Sequence, residues 1–120
     1  MYSCAQPEDW LPHIRHMLEA AEKVIKYVGD LSEVEFYSSD VTYDATKFEI
    51  IIIAEAAGRL TDGARDQFPE VPWHQIRGMR NRVVHEYDRV SEESFWDTVT
   101  ISVPQLVTIL RHVLAEHEEQ

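Results

Sequence analysis

The sequence predicts an all-α fold, an up-and-down bundle of four to five helices joined by short connections. Three observations carry this. Apolar residues recur at i, i+3, i+4 and i+7 through most of the chain, the period of a helix with one buried side. Glycine occurs only four times, and no stretch shows sustained alternation of apolar and polar residues. Helix-starting and helix-stopping residues stand between the periodic stretches. At 120 residues the chain has the size of one domain, read as 1–120 with loose ends at 1–9 and 115–120. That length suffices to bury a core without help from a metal or a disulfide.

Taken in order, Asp9 is placed to cap a first helix starting near Trp10, with Pro12 in its first turn. Ile14, Met17, Leu18, Ala21, Val24, Ile25 and Val28 form its apolar side, and Gly29 is a natural stop. Ser32 with Glu35 makes a capping box for a brief helical turn through Tyr37, which Ser38–Asp40 ends. A second long helix is expected from about Val41 to Leu60. Phe48, Ile51, Ile52, Glu55, Ala56 and Arg59 lie along one side of it and Ile50 and Ile53 on another, so it is read as central. Gly58, Ala54, Ala56 and Ala57 are small enough to let another helix approach closely. Residues 61–72 read as a connection with one short turn, punctuated by Pro69 and Pro72. A third long helix runs from Trp73 to about Val90. Ser91, Glu92 and Glu93 open a further helix with Phe95, Trp96, Val99 and Ile101 inward. Pro104 marks a kink or a fresh start, with Ser102 as a cap. Val103, Leu106, Val107, Leu110, Val113 and Leu114 carry the last helix.

The formal charge of −11 repels nucleic acid at large, so broad phosphate-backbone binding is not expected. A local basic site remains open to it, and Arg77, Arg80, Arg82 and Arg89 form the candidate cluster. Cys4 is the only cysteine, which fits a reducing compartment. The opening residues lack the pattern of a signal peptide, and the longest apolar run, Ile50 to Ala54, is too short to span a bilayer. A cytoplasmic protein without a membrane anchor is expected. His13 and His16 stand one turn apart without a third ligand at helical spacing, so no metal site is expected. Trp10, Trp73 and Trp96 read as core or interface anchors, and Glu22, Glu70 and Asp97 as solvated or pairing residues.

Chemistry is expected in the stretch RGMRNRVVHEYDRV, Arg77 to Val90, which gathers four of the eleven Lys/Arg residues. On a helical wheel Arg80 lies between apolar neighbours: Ile76, Val83 and Tyr87 within about 60° on one side, Val84 and Trp73 within about 40° on the other. A guanidinium there needs a carboxylate, an interface or an anionic ligand. Arg80 and His85 point about 140° apart on a regular helix, so a shared substrate calls for a distortion or a second chain. Spacing alone does not require chemistry. Arg80 could pair with Glu55 of the preceding long helix, His85 could be a partly buried structural histidine, and Tyr87 could be core.

Three blocks, EAAGRL at 55–60, FPEVPWHQIRGMRNRVVHEY at 68–87 and FWDTVTISVPQL at 95–106, together resemble the HepT toxins of the HEPN superfamily. The resemblance runs from about Trp10 to Glu118. It implies an all-α homodimer whose motif helices meet around a shared cleft. It further implies a metal-independent RNA endonuclease of a toxin–antitoxin pair, with no cofactor, partnered by an MNT-type nucleotidyltransferase antitoxin. Carried over by motif, the arginine and histidine of the site are Arg80 and His85, with Asn81 in support; Glu55, read from the residues alone, is the best candidate to hold Arg80 or Arg59. Tyr87 is the tyrosine onto which such a partner would transfer AMP. The competing reading is a non-catalytic helical subunit that docks a nucleotidyltransferase.

Overall fold

Proline at the first helical position and a carboxylate two residues later start the first helix earlier than expected. The computed structural model describes residues 6–85 and 92–118, with the side chains of 85, 92–94 and 118 excepted. In it α1 spans Pro7–Val28. The Gln6 N–H donates to Asp9 Oδ2 at 3.0 Å, so Asp9 acts from inside the first turn and not as the cap. Pro12 therefore falls in the second turn. The helix stops at Gly29, whose φ of +49° suits a residue without a side chain and whose N–H donates to the Ile25 carbonyl at 2.9 Å.

A six-residue helix, α2 (Glu33–Ser38), follows from the expected capping box. The Ser32 N–H donates to Glu35 Oε1 at 2.8 Å, and the Glu35 N–H donates to Ser32 Oγ at 3.2 Å. The bond from the Ser32 backbone, then that from its hydroxyl, holds the Glu35 carboxyl below its usual range. Phe36 is fully buried. Its ring centroid lies 5.2 Å from Tyr37, 5.9 Å from Tyr43, 5.5 Å from Trp96 and 6.2 Å from Phe95. Ser39 ends α2 and also caps α3, accepting from the Thr42 N–H at 3.2 Å.

The second long helix, α3 (Asp40–Gly58), buries Thr46, Glu49, Ile50, Ile53, Ala56 and Ala57. The core side is thus the one with Ile50 and Ile53. The opposite side, with Phe48, Glu55 and Arg59, faces outward, with Ile52 half-buried at its edge, and Phe48 is 58% exposed. Apolar residues go almost all round this helix, so the wheel could not say which side a neighbour would take. Nor does Gly58 admit a close helix, since a Cβ there would meet nothing within 4 Å.

Thr61 Oγ1 accepts from the Ala64 N–H at 3.1 Å and starts α4 (Asp62–Asp66). Arg65 reaches back to the end of α3, donating from Nη1 to the carbonyls of Ala57 at 3.2 Å and Leu60 at 2.9 Å. Phe68 and Val71 are buried beneath this turn. The Trp73 indole donates to the carbonyls of Arg65 at 3.1 Å and Phe68 at 3.0 Å, which fixes the start of α5 (Trp73–His85).

The final rod is one continuous helix with a defect. The short α6 (Glu92–Asp97) runs through a π-helical turn, Thr98–Ser102, into α7 (Val103–Glu118). Pro104 is therefore neither a fresh start nor capped by Ser102. Pro104 has no N–H, and in a plain α-helix its ring would press on the carbonyl of Thr100; the wider turn just before it relieves both. Val99, Val103, Leu106, Val107, Leu110, Val113 and Leu114 are buried as their spacing requires, whereas Ile101 is 52% exposed. Residues 115–118, read as part of a loose end, continue α7. His117 lies edge-on to Trp10 at 4.7 Å and to Phe68 at 5.6 Å. Phe95–His117 is long and apolar enough to span a bilayer by length and composition, although no uninterrupted apolar run within it is long. Its inward side, however, is the core of the bundle.

The layers run α5, α3, α1, α7: α1 sits between α3 and α7, and α5 packs chiefly on α3. The resulting body is a slab of 52 × 28 × 19 Å. Every described element is helical, as the sequence predicted. The expected continuation of the motif helix to Val90, and with it Tyr87 and Arg89, lies outside the described residues, as does Cys4.

One stability prediction arises here. Gly78 stands within α5, and a Cβ there would meet nothing within 4 Å. Gly78→Ala is expected to stabilise the fold by about 0.5–1 kcal/mol, through helix propensity alone. A urea titration would show a raised midpoint with unchanged slope; a lowered midpoint would mean that something outside the chain occupies that space.

Candidate active site

The site is built on the outer side of α3 and the side of α5 that faces it. Ile76, Met79 and Val83 anchor α5, all buried, one helical turn apart. Arg80 is next to Met79 in sequence and lies at the edge of this stripe. Met79, on the Ile76–Val83 side, draws the buried stripe away from Arg80, which is why Arg80 is not central as the wheel alone predicts. The Arg80 side chain is 41% exposed, and its Nε donates to Glu55 Oε1 at 3.2 Å, the side chain of Glu55 being 49% exposed. This is the pairing the sequence offered. In so open a setting it is worth less than about 1 kcal/mol, too little to explain an arginine by stability.

Beside this pair lies a groove of about 660 Å³ between α3, α4 and the first half of α5. Ala54, Ala57 and Gly58 line it from α3, and Arg77, Arg80 and Asn81 from α5. Four arginines border it, at 59, 65, 77 and 80, against two carboxylates, Glu55 and Asp62. Both carboxylates are taken: Glu55 by Arg80, and Asp62 by Arg65. Arg59 and Arg77 are exposed and make no ion pair or hydrogen bond among the described residues. The groove is thus a cationic strip in a chain of charge −11.

The candidate cluster read from the sequence is partly corrected by this. Arg77 and Arg80 share the groove. Arg82 does not; it borders a different hollow, between α5 and the α6–α7 rod, with Asp97 and Gln105. Its place is taken by Arg59 and Arg65, which sequence proximity could not bring to α5. The available signal was that Arg59 lies one turn beyond Glu55 on α3, once Glu55 is allowed to meet Arg80. His74, which no sequence motif singles out, also lines the groove. His85 is the last described residue of α5, and the helix between Arg80 and His85 is unbroken, so the two positions stay about 140° apart around its axis. The rings of His13 and His16 are 6.5 Å apart, and among the described residues no three His, Cys, Asp or Glu side chains converge as metal ligands do.

The all-α architecture is consistent with a HEPN-like domain. The comparison with known proteins is specific. A family model described as Ribonuclease HepT-like matches residues 17–113, and the chain belongs to that family of ribonucleases. One relative, provisionally named an RNase, comes from Caldanaerobacter subterraneus subsp. tengcongensis. It is 30% identical over 107 residues, covering 89% of this chain and 96% of the relative. Another from Methanocaldococcus jannaschii, also provisionally named an RNase, is 31% identical over 90 residues, 75% of this chain and 83% of its own length. A protein of Thermococcus cleftensis, provisionally named ribonuclease HepT, is 26% identical over 94 residues, 78% of this chain and 86% of that one. No solved structure matches the chain at a significant level.

Proposed function

We propose that the chain is the toxin of a toxin–antitoxin pair: a metal-independent RNA endonuclease whose site is completed across a homodimer. The observation that carries this is Arg80, exposed at the rim of a cationic groove on the same helix as His85, in a chain of the HepT-like ribonuclease family. The substrate's own 2′-hydroxyl attacks the adjacent phosphorus and the 5′-oxygen leaves, giving a 2′,3′-cyclic phosphate and a 5′-hydroxyl. Histidine titrates near neutral pH, so His85 would remove the 2′-proton or supply one to the leaving oxygen. Arg80 would leave Glu55 in part to hold the phosphoryl oxygens as charge builds on them, and Asn81 would orient the same group.

Two features support the dimer. The positions of Arg80 and His85 lie about 140° apart around one helix, too far for both to serve one phosphate, so a second copy would supply the complementary residue. Along the outer side of α3, Val41 is 81% exposed and Phe48 58%, while Val84 of α5 is 39% exposed. Val41, Phe48 and Ile52 follow a seven- and four-residue spacing that runs into Glu55, an apolar seam leading to the site. An MNT-type nucleotidyltransferase in the cytoplasm is the proposed antitoxin, acting through transfer of AMP to Tyr87. The adduct would set phosphate charge beside the site and close it.

The test is cleavage of single-stranded RNA by the purified chain in chelator. Product carrying a 2′,3′-cyclic phosphate, lost with His85→Ala and with a 2′-deoxy sugar at the cut, is the expected result. Growth arrest and nucleotidyltransferase binding without any RNA cleavage would favour the docking subunit instead.

A further inference from the structure

We infer that the groove between α3, α4 and α5 is a subsite for the RNA strand flanking the cut, with Arg59 and Arg77 each holding a backbone phosphate. The inference rests on the ribonuclease reading above and adds to it where the substrate lies.

Four features converge on this. First, the charge in the groove is available. Arg65 is tied to the Ala57 and Leu60 carbonyls and to Asp62, and Arg80 to Glu55, so neither carboxylate is left to neutralise Arg59 or Arg77. A guanidinium with no partner among the described residues, beside an arginine that is paired, can take a phosphate with two parallel N–H bonds. Second, the groove is open. Ala54, Ala57 and Gly58 give its α3 side little volume, and a Cβ on Gly58 would meet nothing within 4 Å. A strand can therefore lie against the backbone of α3. Third, the first turn of α5 opens on the groove and contains no acidic residue, so the positive end of that helix adds to the same field. Fourth, Trp73 lines the groove and is held rigidly by its two indole hydrogen bonds, giving a fixed aromatic group on which a base can stack. The groove-lining positions His74, Arg77 and Asn81 follow one another by three and four residues, a line of about 10 Å along the helix that leads past Arg80. In a chain of net charge −11, RNA is repelled elsewhere and admitted here, which gives the strand a defined path.

The experiment measures binding apart from cleavage. A fluorescent oligouridine methylated at every 2′-oxygen cannot be cut by its own hydroxyl. Its affinity for the full chain is measured across a salt series for wild type, Arg59→Ala/Arg77→Ala, and Arg82→Ala. Removal of two phosphate contacts is expected to flatten the slope of log K against log salt by about 1.4, with affinity at low salt reduced about tenfold or more. Arg82→Ala, on the other side of α5, is expected to keep the wild-type slope. Arg59 and Arg77 are exposed and make no ion pair among the described residues, so the double variant should melt as wild type does. Equal slopes for wild type and the double variant would overturn the inference, as would an equal loss in Arg82→Ala, the mark of a general charge effect. The two readings fail separately. Cleavage by wild type with an unaffected double variant would leave the nuclease standing and remove the subsite; a flattened slope without cleavage would do the reverse.

Discussion

Arg80→Ala is expected to slow RNA cleavage by about 10²–10³-fold, the usual loss when one preorganised donor to a developing oxyanion is removed. The effect should fall on the rate at saturating RNA more than on binding, because Arg59 and Arg77 remain in the groove. Arg80→Lys is expected to recover little. A single ammonium cannot face Glu55 and still present two parallel donors to a phosphate. Stability should barely move, since the pair lost is half exposed on both sides. Single-turnover cleavage beside a thermal melt separates the two outcomes. A wild-type rate in Arg80→Ala would leave the pair with Glu55 as a surface contact and remove Arg80 from the chemistry.

Phe36→Ala should have the largest effect on the fold. The residue is fully buried, and four aromatic rings surround it at 5.2 to 6.2 Å. Deleting such a side chain costs about 3–5 kcal/mol, part transfer and part cavity. The loss is not easily repaired, because α2 is six residues long and cannot persist without the packing that Phe36 gives it. Its rings also join α3, through Tyr43, to the final rod, through Phe95 and Trp96. A fall in melting temperature of about 10–20 °C is expected. A shift of only a few degrees would mean that the cluster collapses on itself, and that α2 is held by its neighbours without this residue.

Where a residue's fate depends on its own helix, the sequence was readable. The Ser32–Glu35 box, the stop at Gly29 and the inward line from Val103 to Leu114 follow from local rules, and each is found. The difficulties were of two kinds. On α3, apolar residues surround the axis, and only the neighbour's position decides that Ile50 and Ile53 go in while Phe48 stays out. At Pro104, the rule that proline breaks a helix holds, but the rod answers with a wider turn and does not stop. The site divides in the same way. Arg80 and its contact with Glu55 could be read from one helix and its predecessor. The cationic groove could not, because Arg59 and Arg65 reach α5 only once α4 has turned the chain and Arg65 has fastened that turn to the end of α3.

The packing of α5 chiefly on α3 has a consequence for dosage. Under the proposal that a second copy completes the site, the active species forms in proportion to the square of chain concentration while monomer predominates. A tenfold dilution then costs a hundredfold in activity, and not ten. Such a protein is nearly silent at low copy number and switches on steeply as it accumulates, before any partner acts on it.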